Sequence, residues 1–212
     1  MISHLDAEAA SAALQALQAA FPERPPARDM ELTRPGGWYD EAGQLHVYEN
    51  PEAREVARFF AGAPWMDVAN ENLLRFSHAN VSMIHLSPRA LAYYLPAYLK
   101  AFLTVPIDPV IFAVLEAFIR ALTAPVVASD ESELRERFPG TRSDAQRRAL
   151  ERDRLDAFQE FIQALDDAQR AAVATFLQVI DPLFEDDFLE NTVRTALDRF
   201  WGRYARAPER EG

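Results

Sequence analysis

His78 and His85, with Asp67, Glu71 and Asn72 just upstream, come nearest to a metal-ligand pattern in this chain. A helical zinc site needs imidazoles one turn apart so that two donors reach one ion. A spacing of seven residues puts two rings on one helical face but two turns apart, too wide for a single metal. Neither H-E-x-x-H nor H-x-E with C-x-x-C is present. Hydrogen-bonded or exposed histidines are therefore expected, with no metal and no other cofactor. The chain also lacks G-x-S-x-G, a P-loop and G-x-G-x-x-G, and no local Ser/His/Asp group nominates a catalytic residue. With no Cys there is no thiolate nucleophile, Cys–zinc site, iron–sulfur cluster or disulfide framework. Lys100 is the sole lysine, so a Schiff base is confined to that position.

The polar aromatics Tyr93, Tyr94 and Tyr98 offer a second kind of chemistry. Tyr94 and Tyr98 lie four apart and share a helical face, and Tyr93 points about a quarter turn away. Buried phenols seek a partner for the hydroxyl, and the carbonyl freed by Pro96 is one such partner. Tyr94 and Tyr98 read as core rings. Tyr93 is as well suited to a protein-binding surface, where Tyr is enriched.

Charge is the stronger functional clue. The formal net charge is −11, and the pI is about 4.8. Nucleic acid and anionic membranes would repel such a surface, whereas a basic protein would be steered toward it. The acids are concentrated. Asp156, Glu160, Asp166, Asp167, Asp181, Glu185, Asp186, Asp187 and Glu190 face a single base, Arg170, for a net −8, while residues 135 to 154 are rich in arginine. Asp166, Asp167, Glu185, Asp186, Asp187 and Tyr93 are the residues expected to meet a partner. The competing reading is solvated helix ends, because Asp166 and Asp187 also sit where a carboxylate offsets the helix dipole.

The elements that must position these groups are mostly helical. Ser3 with Asp6 makes a capping-box start, followed by an apolar stripe from Leu5 to Phe21 that Pro22 stops. Residues 22–44, rich in Pro and Gly, read as loop or linker. Leu45 to Tyr48 alternate as one short strand. Asn50-Pro51, Ser87-Pro88 and Asp108-Pro109 are helix starts, each a capping residue followed by Pro at the first helical position. A short helix runs through Leu73, Leu74 and Phe76, and Val81 to Leu86 fits either a strand or an extended linker. Pro96 should kink or restart its helix. The helix from Pro109 to about Leu122 is apolar on most sides and should sit centrally. A short helix near Glu131 to Arg137 lies in a polar connection. Ser143 with Gln146 and Asp166 with Gln169 open two further helices, and a last one carries Phe188 to Tyr204.

The segment Leu86-Ser87-Pro88-Arg89-Ala90-Leu91-Ala92-Tyr93-Tyr94-Leu95-Pro96-Ala97-Tyr98-Leu99 resembles the L-S/T-P-x-A-x-x-Y-Y-L-P-A-Y core of a bacterial domain-of-unknown-function family. Phe158, Phe161, Ile162, Leu165, Gln169, Ala172, Val173, Phe176 and Leu177 match its downstream pattern, and Ala196, Leu197, Phe200 and Trp201 its last piece. The resemblance spans roughly residues 55–205. It implies a shared fold and supplies no activity.

A chain of 212 residues can bury roughly 70% of its unfolded surface without staples. The expectation is a mainly α, compact single domain over residues 1–212, with about seven helices and at most one minor β-hairpin. The N-terminus lacks a basic n-region and apolar h-region, and the most apolar stretch, 101 to 119, is broken by Pro106, Asp108, Pro109 and Glu116. A cytoplasmic location follows as an expectation. The function read from these features is non-enzymatic protein binding. Its sharpest form is a bacterial immunity or antitoxin-like protein that neutralises a basic toxin. The alternatives are a motif-poor carboxylate-dependent metal hydrolase around Asp181 to Glu190, and a structural or regulatory homo-oligomer built on the Val110 to Leu122 helix.

Overall fold

The computed structural model describes residues 5–184 and 192–205. Helix α1 (Ala7–Ala20) is followed by strands β1 (Gly36–Tyr39) and β2 (Leu45–Tyr48). Next come α2 (Pro51–Phe60), α3 (Trp65–Val68), α4 (Glu71–Arg75), α5 (Ser82–His85), α6 (Pro88–Thr104) and α7 (Pro109–Leu122). The C-terminal half holds α8 (Glu131–Arg137), α9 (Asp144–Gln163), α10 (Asp167–Ile180) and α11 (Thr192–Arg199), with 3-10 turns at Asp181–Phe184 and Trp201–Tyr204. The chain is mainly α, as expected, with eleven α-helices among the described residues rather than about seven. The difference lies in short helices such as α3, α4 and α5, which are too brief to display a 3.6-residue period.

The centre of the core is α6, not α7. Its buried residues run from Ala90 to Phe102 and include Tyr94, Pro96 and Tyr98. The helix continues unbroken through Pro96, which neither ends nor restarts it. An interior Pro costs about 3 kcal/mol, and burial of nearly every side chain around it offsets that cost. Helix α7 buries Ile111, Val114, Leu115, Phe118, Ile119 and Leu122 on one side and exposes Val110. One apolar cluster joins residues from α1 through Trp201. Trp201 is fully buried, and its indole N–H donates to the Leu122 carbonyl at 2.7 Å.

Residues 22–44 are not a free linker. Gly36–Tyr39 pairs antiparallel with Leu45–Tyr48, in the register Trp38 opposite His46. The turn is set by Asp40, whose carboxylate accepts from the Ala42 and Gln44 amides at 3.0 and 2.9 Å. Gly43 completes it at φ +81°, where any Cβ would also meet the Ala145 carbonyl oxygen at 2.9 Å. Upstream, Thr33 bridges to Leu86, and the Ser87 amide donates to the Leu32 carbonyl at 2.9 Å. Val81 to Leu86 is accordingly one helical turn, α5, followed by an extended residue at Leu86.

Two helix caps hold this segment in place. The Ser87 hydroxyl accepts from the Ala90 amide and donates to the Glu31 carbonyl at 2.5 Å. The Ser143 hydroxyl accepts from the Gln146 amide and donates to the Glu41 carbonyl at 2.6 Å, while the Gln146 side-chain amide donates to the Tyr39 carbonyl at 2.7 Å. A serine cap has a proton left over for a tether, which a carboxylate cap lacks. The capping boxes at Ser143 with Gln146 and at Asp166 with Gln169 form as the spacing predicts. The first helix differs: its N-cap is Asp6, accepting from the Ala9 amide at 2.8 Å, and Ser3 lies outside the described residues. The carboxylate three residues nearer the apolar stripe serves the orphan amides directly.

Candidate functional site

The three tyrosines of α6 are held by hydrogen bonds inside the protein. The Tyr94 hydroxyl lies 2.8 Å from the Phe60 carbonyl and 2.9 Å from that of Ala63, so it closes the end of α2. Tyr98 is fully buried, with its hydroxyl 2.6 Å from Ser82 Oγ. Ser82 donates its one proton to the Ala79 carbonyl at 2.8 Å, so Tyr98 is the donor to Ser82. Burial raises both phenol pKa values. Neither hydroxyl turns to the carbonyl freed by Pro96. Tyr93, expected as a partner-binding residue, is half-buried. Its hydroxyl donates to the Arg24 carbonyl at 2.6 Å and accepts from the Trp65 amide at 3.3 Å, so it ties together three segments.

The histidines separate. His85 Nε2 lies 3.2 Å from a Glu52 carboxylate oxygen, and the His78 ring packs edge-on to Phe76. Among the described residues no group of three or more His, Asp or Glu is placed to hold a metal ion.

Of the expected acidic face, Asp166 and Asp167 are exposed at the start of α10, beside exposed Asp156 and Glu160 on α9. Asp166 accepts from the Gln169 amide as an N-cap, and Asp167 pairs with Arg170 at 2.8 Å. Asp156 and Glu160 make no ion pair among the described residues. Glu185, Asp186 and Asp187 lie outside the described residues, as does most of the acid-rich stretch behind the hydrolase alternative.

A feature that sequence reasoning missed is a half-open cleft of about 900 Å³, bordered by the loop at Arg34 and by α5, α7, α9 and α11. Met83, Leu86, Leu91, Phe158 and Phe161 give it apolar walls. In a protein of net charge −11, its charged lining among the described residues is four arginines, Arg34, Arg120, Arg154 and Arg199, against the single acid Asp153. Arg34 is paired with Asp153 at 2.5 Å, and Arg120 with Glu116 at 2.5 Å. Arg154 lies over the Phe138 ring, 4.8 Å from its centroid, and has no carboxylate partner among the described residues. Arg199 has no ion-pair partner among the described residues either. A second cavity of about 310 Å³ shares Pro125, Arg154 and Arg199 with the first, so these two arginines stand where the two meet.

Helix α9 serves both surfaces. Arg154, Phe158 and Phe161 face the cleft roughly 100–160° round the helix from the exposed Asp156 and Glu160, and Asp153 and Ala157 line its edge between them. The arginine-rich run from 135 to 154 was visible in the sequence, but its meeting with Arg34, Arg120 and Arg199 was not, because those residues come from distant segments. No helix among the described residues is long and apolar enough to cross a membrane. Comparison with protein-family models, curated proteins and solved structures finds no match.

Proposed function

We propose that the protein is a non-enzymatic, cytoplasmic binding protein that offers an acidic surface to a basic protein. In its sharpest form it is a bacterial immunity or antitoxin-like protein that neutralises a basic toxin. The observation that carries this reading is the run of exposed acids along the second half of α9 and the start of α10, where Asp156 and Glu160 have no ion-pair partner among the described residues and Asp166 and Asp167 are turned to solvent. Carboxylates left uncompensated in this way raise the encounter rate with a cationic surface and oppose anionic ones.

The test is affinity capture from the native host, followed by association kinetics of the captured protein across a range of salt concentration. The expected partner is basic, and its on-rate falls as salt rises. Reversing Asp156 and Glu160 to Arg should slow association by roughly tenfold or more at low salt and flatten the salt dependence. A partner whose association is indifferent to both salt and reversal would remove this reading.

A further inference from the structure

We infer that the arginine-lined cleft is a binding site for a single-chain amphipathic anion: a carboxylate carried on a medium-length aliphatic tail. This goes beyond the acidic-surface reading and uses none of its residues. At about 900 Å³ the cleft falls within the range of about 300–1,000 Å³ typical of small-molecule sites. Its chemistry has two parts. Met83, Leu86, Leu91 and the rings of Phe158 and Phe161 form an apolar wall that gains nothing from a compact hydrophilic ion. Arg154 and Arg199, at the junction with the smaller cavity, supply two positive charges that no carboxylate of the protein neutralises among the described residues.

The other two cleft arginines show what is missing. Arg34 and Arg120 each hold a carboxylate oxygen at 2.5 Å. Arg154 instead has its guanidinium carbon over the Phe138 ring, 4.8 Å from the centroid. Among the described residues its N–H groups meet no carboxylate, and a guanidinium group takes a carboxylate in a bidentate pair. An uncharged ligand would leave both guanidinium groups unanswered, and a cationic one would be repelled. A ligand with one anionic head and an apolar tail satisfies both halves of the lining.

The probe is decanoate, kept below its micellar concentration and titrated calorimetrically into the full chain. Decylamine, 1-decanol and the short peptide acetyl-Ala-Leu-Leu serve as competitors for the same site. Decanoate should bind saturably with one-to-one stoichiometry, should raise the melting temperature, and should bind more weakly as salt rises. Arg154→Gln with Arg199→Gln should weaken it by about 10–100-fold, the effect of losing charged hydrogen bonds. Both arginines are exposed, so the variant should keep the wild-type circular dichroism spectrum. Ala157→Phe, which narrows the cleft and leaves both arginines in place, should also lose decanoate. The proposal is overturned if decanoate does not saturate, if decanol or decylamine binds as tightly, or if the double Gln variant keeps wild-type affinity. Binding of the peptide with none of decanoate would overturn it too, in favour of a peptide C-terminus.

Discussion

The neighbourhood of α6 and the cleft beside α9 both combine aromatic rings with polar groups, yet they treat the polar groups in opposite ways. Around α6 every tyrosine hydroxyl meets a partner inside the protein, down to Ser82, whose single proton goes to Ala79 and whose lone pair receives Tyr98. In the cleft, two of four arginines have no carboxylate partner among the described residues. A buried polar group without a partner is costly, so a folded core closes its hydrogen bonds internally. A half-open cleft can leave charges to water, and thereby to a ligand. Polar residues in the first region report on folding, and those in the second report on binding.

Substitutions should separate the two regions, with the largest losses of stability at the centre. Trp201→Ala removes a fully buried indole and its bond to the Leu122 carbonyl, and should cost about 3–5 kcal/mol in denaturant unfolding. Tyr94→Phe keeps the ring but removes the hydroxyl donor from the Ala63 carbonyl, while the Phe60 carbonyl keeps the Ala63 amide, a loss of about 1–3 kcal/mol. A similar loss at both sites would blur the distinction between packing and hydrogen bonding drawn here.

The serine caps give a finer test. Ser87→Asp preserves an N-cap acceptor but sets a carboxylate against the Glu31 carbonyl, so it should cost about 1–3 kcal/mol. Asp166→Ser replaces a cap that tethers nothing beyond its own helix, and should change stability by about 0.5 kcal/mol or less. Arg154→Gln with Arg199→Gln should lie within about 0.5 kcal/mol of wild type. A large destabilisation there would place the cleft with the structural centre.

The buried phenols of α6 and the partly exposed N-cap carboxylate of α7 differ in pH response. Tyr94 and Tyr98 have raised pKa values in the folded state because burial opposes the phenolate. Their contribution is complete below the ordinary Tyr value of 10.0 and is lost as pH rises above it, since the unfolded chain ionises first. Asp108 behaves in the opposite sense. Its carboxyl pKa is lowered by the Ile111 backbone amide, then by Arg75, so its contribution is present above the ordinary Asp value of 3.8 and is lost as pH falls below it. Melting temperature against pH should therefore fall at both ends. Tyr94→Phe should still weaken the protein at neutral pH but reduce the alkaline decline, and Asp108→Asn should reduce the acid one.

Much of the helical scaffold was legible because its signals are local. Asn50-Pro51, Ser87-Pro88 and Asp108-Pro109 each place a side-chain acceptor and a missing N–H where a helix begins, and all three starts form. The two capping boxes form for the same reason. What was not legible depends on distant partners. Pro96 continues a helix because the surrounding core holds it there. Gly36–Tyr39 is a strand because Leu45–Tyr48 pairs with it and because Ser143 and Gln146 receive the hairpin. The acidic α9–α10 corner was readable as composition, and part of it is placed in solvent. The cleft was not readable, since Arg34, Arg120, Arg154 and Arg199 become neighbours only after the chain has folded.

The packing of α1 against α10 has a consequence for how the protein is made. A ribosome releases Ala13 and Leu17, the buried residues of α1, long before it releases Ala172 to Ile180, which supply much of the opposing surface. At ~5–20 residues per second that interval is about 8–30 s. Throughout it, the apolar side of the first helix has nowhere within its own chain to complete its burial. Final closure must therefore wait until α10 has been synthesised. A nascent chain stalled before Asp167 should expose that helix to proteases and chaperones, whereas one stalled after the Trp201 turn has emerged should protect it.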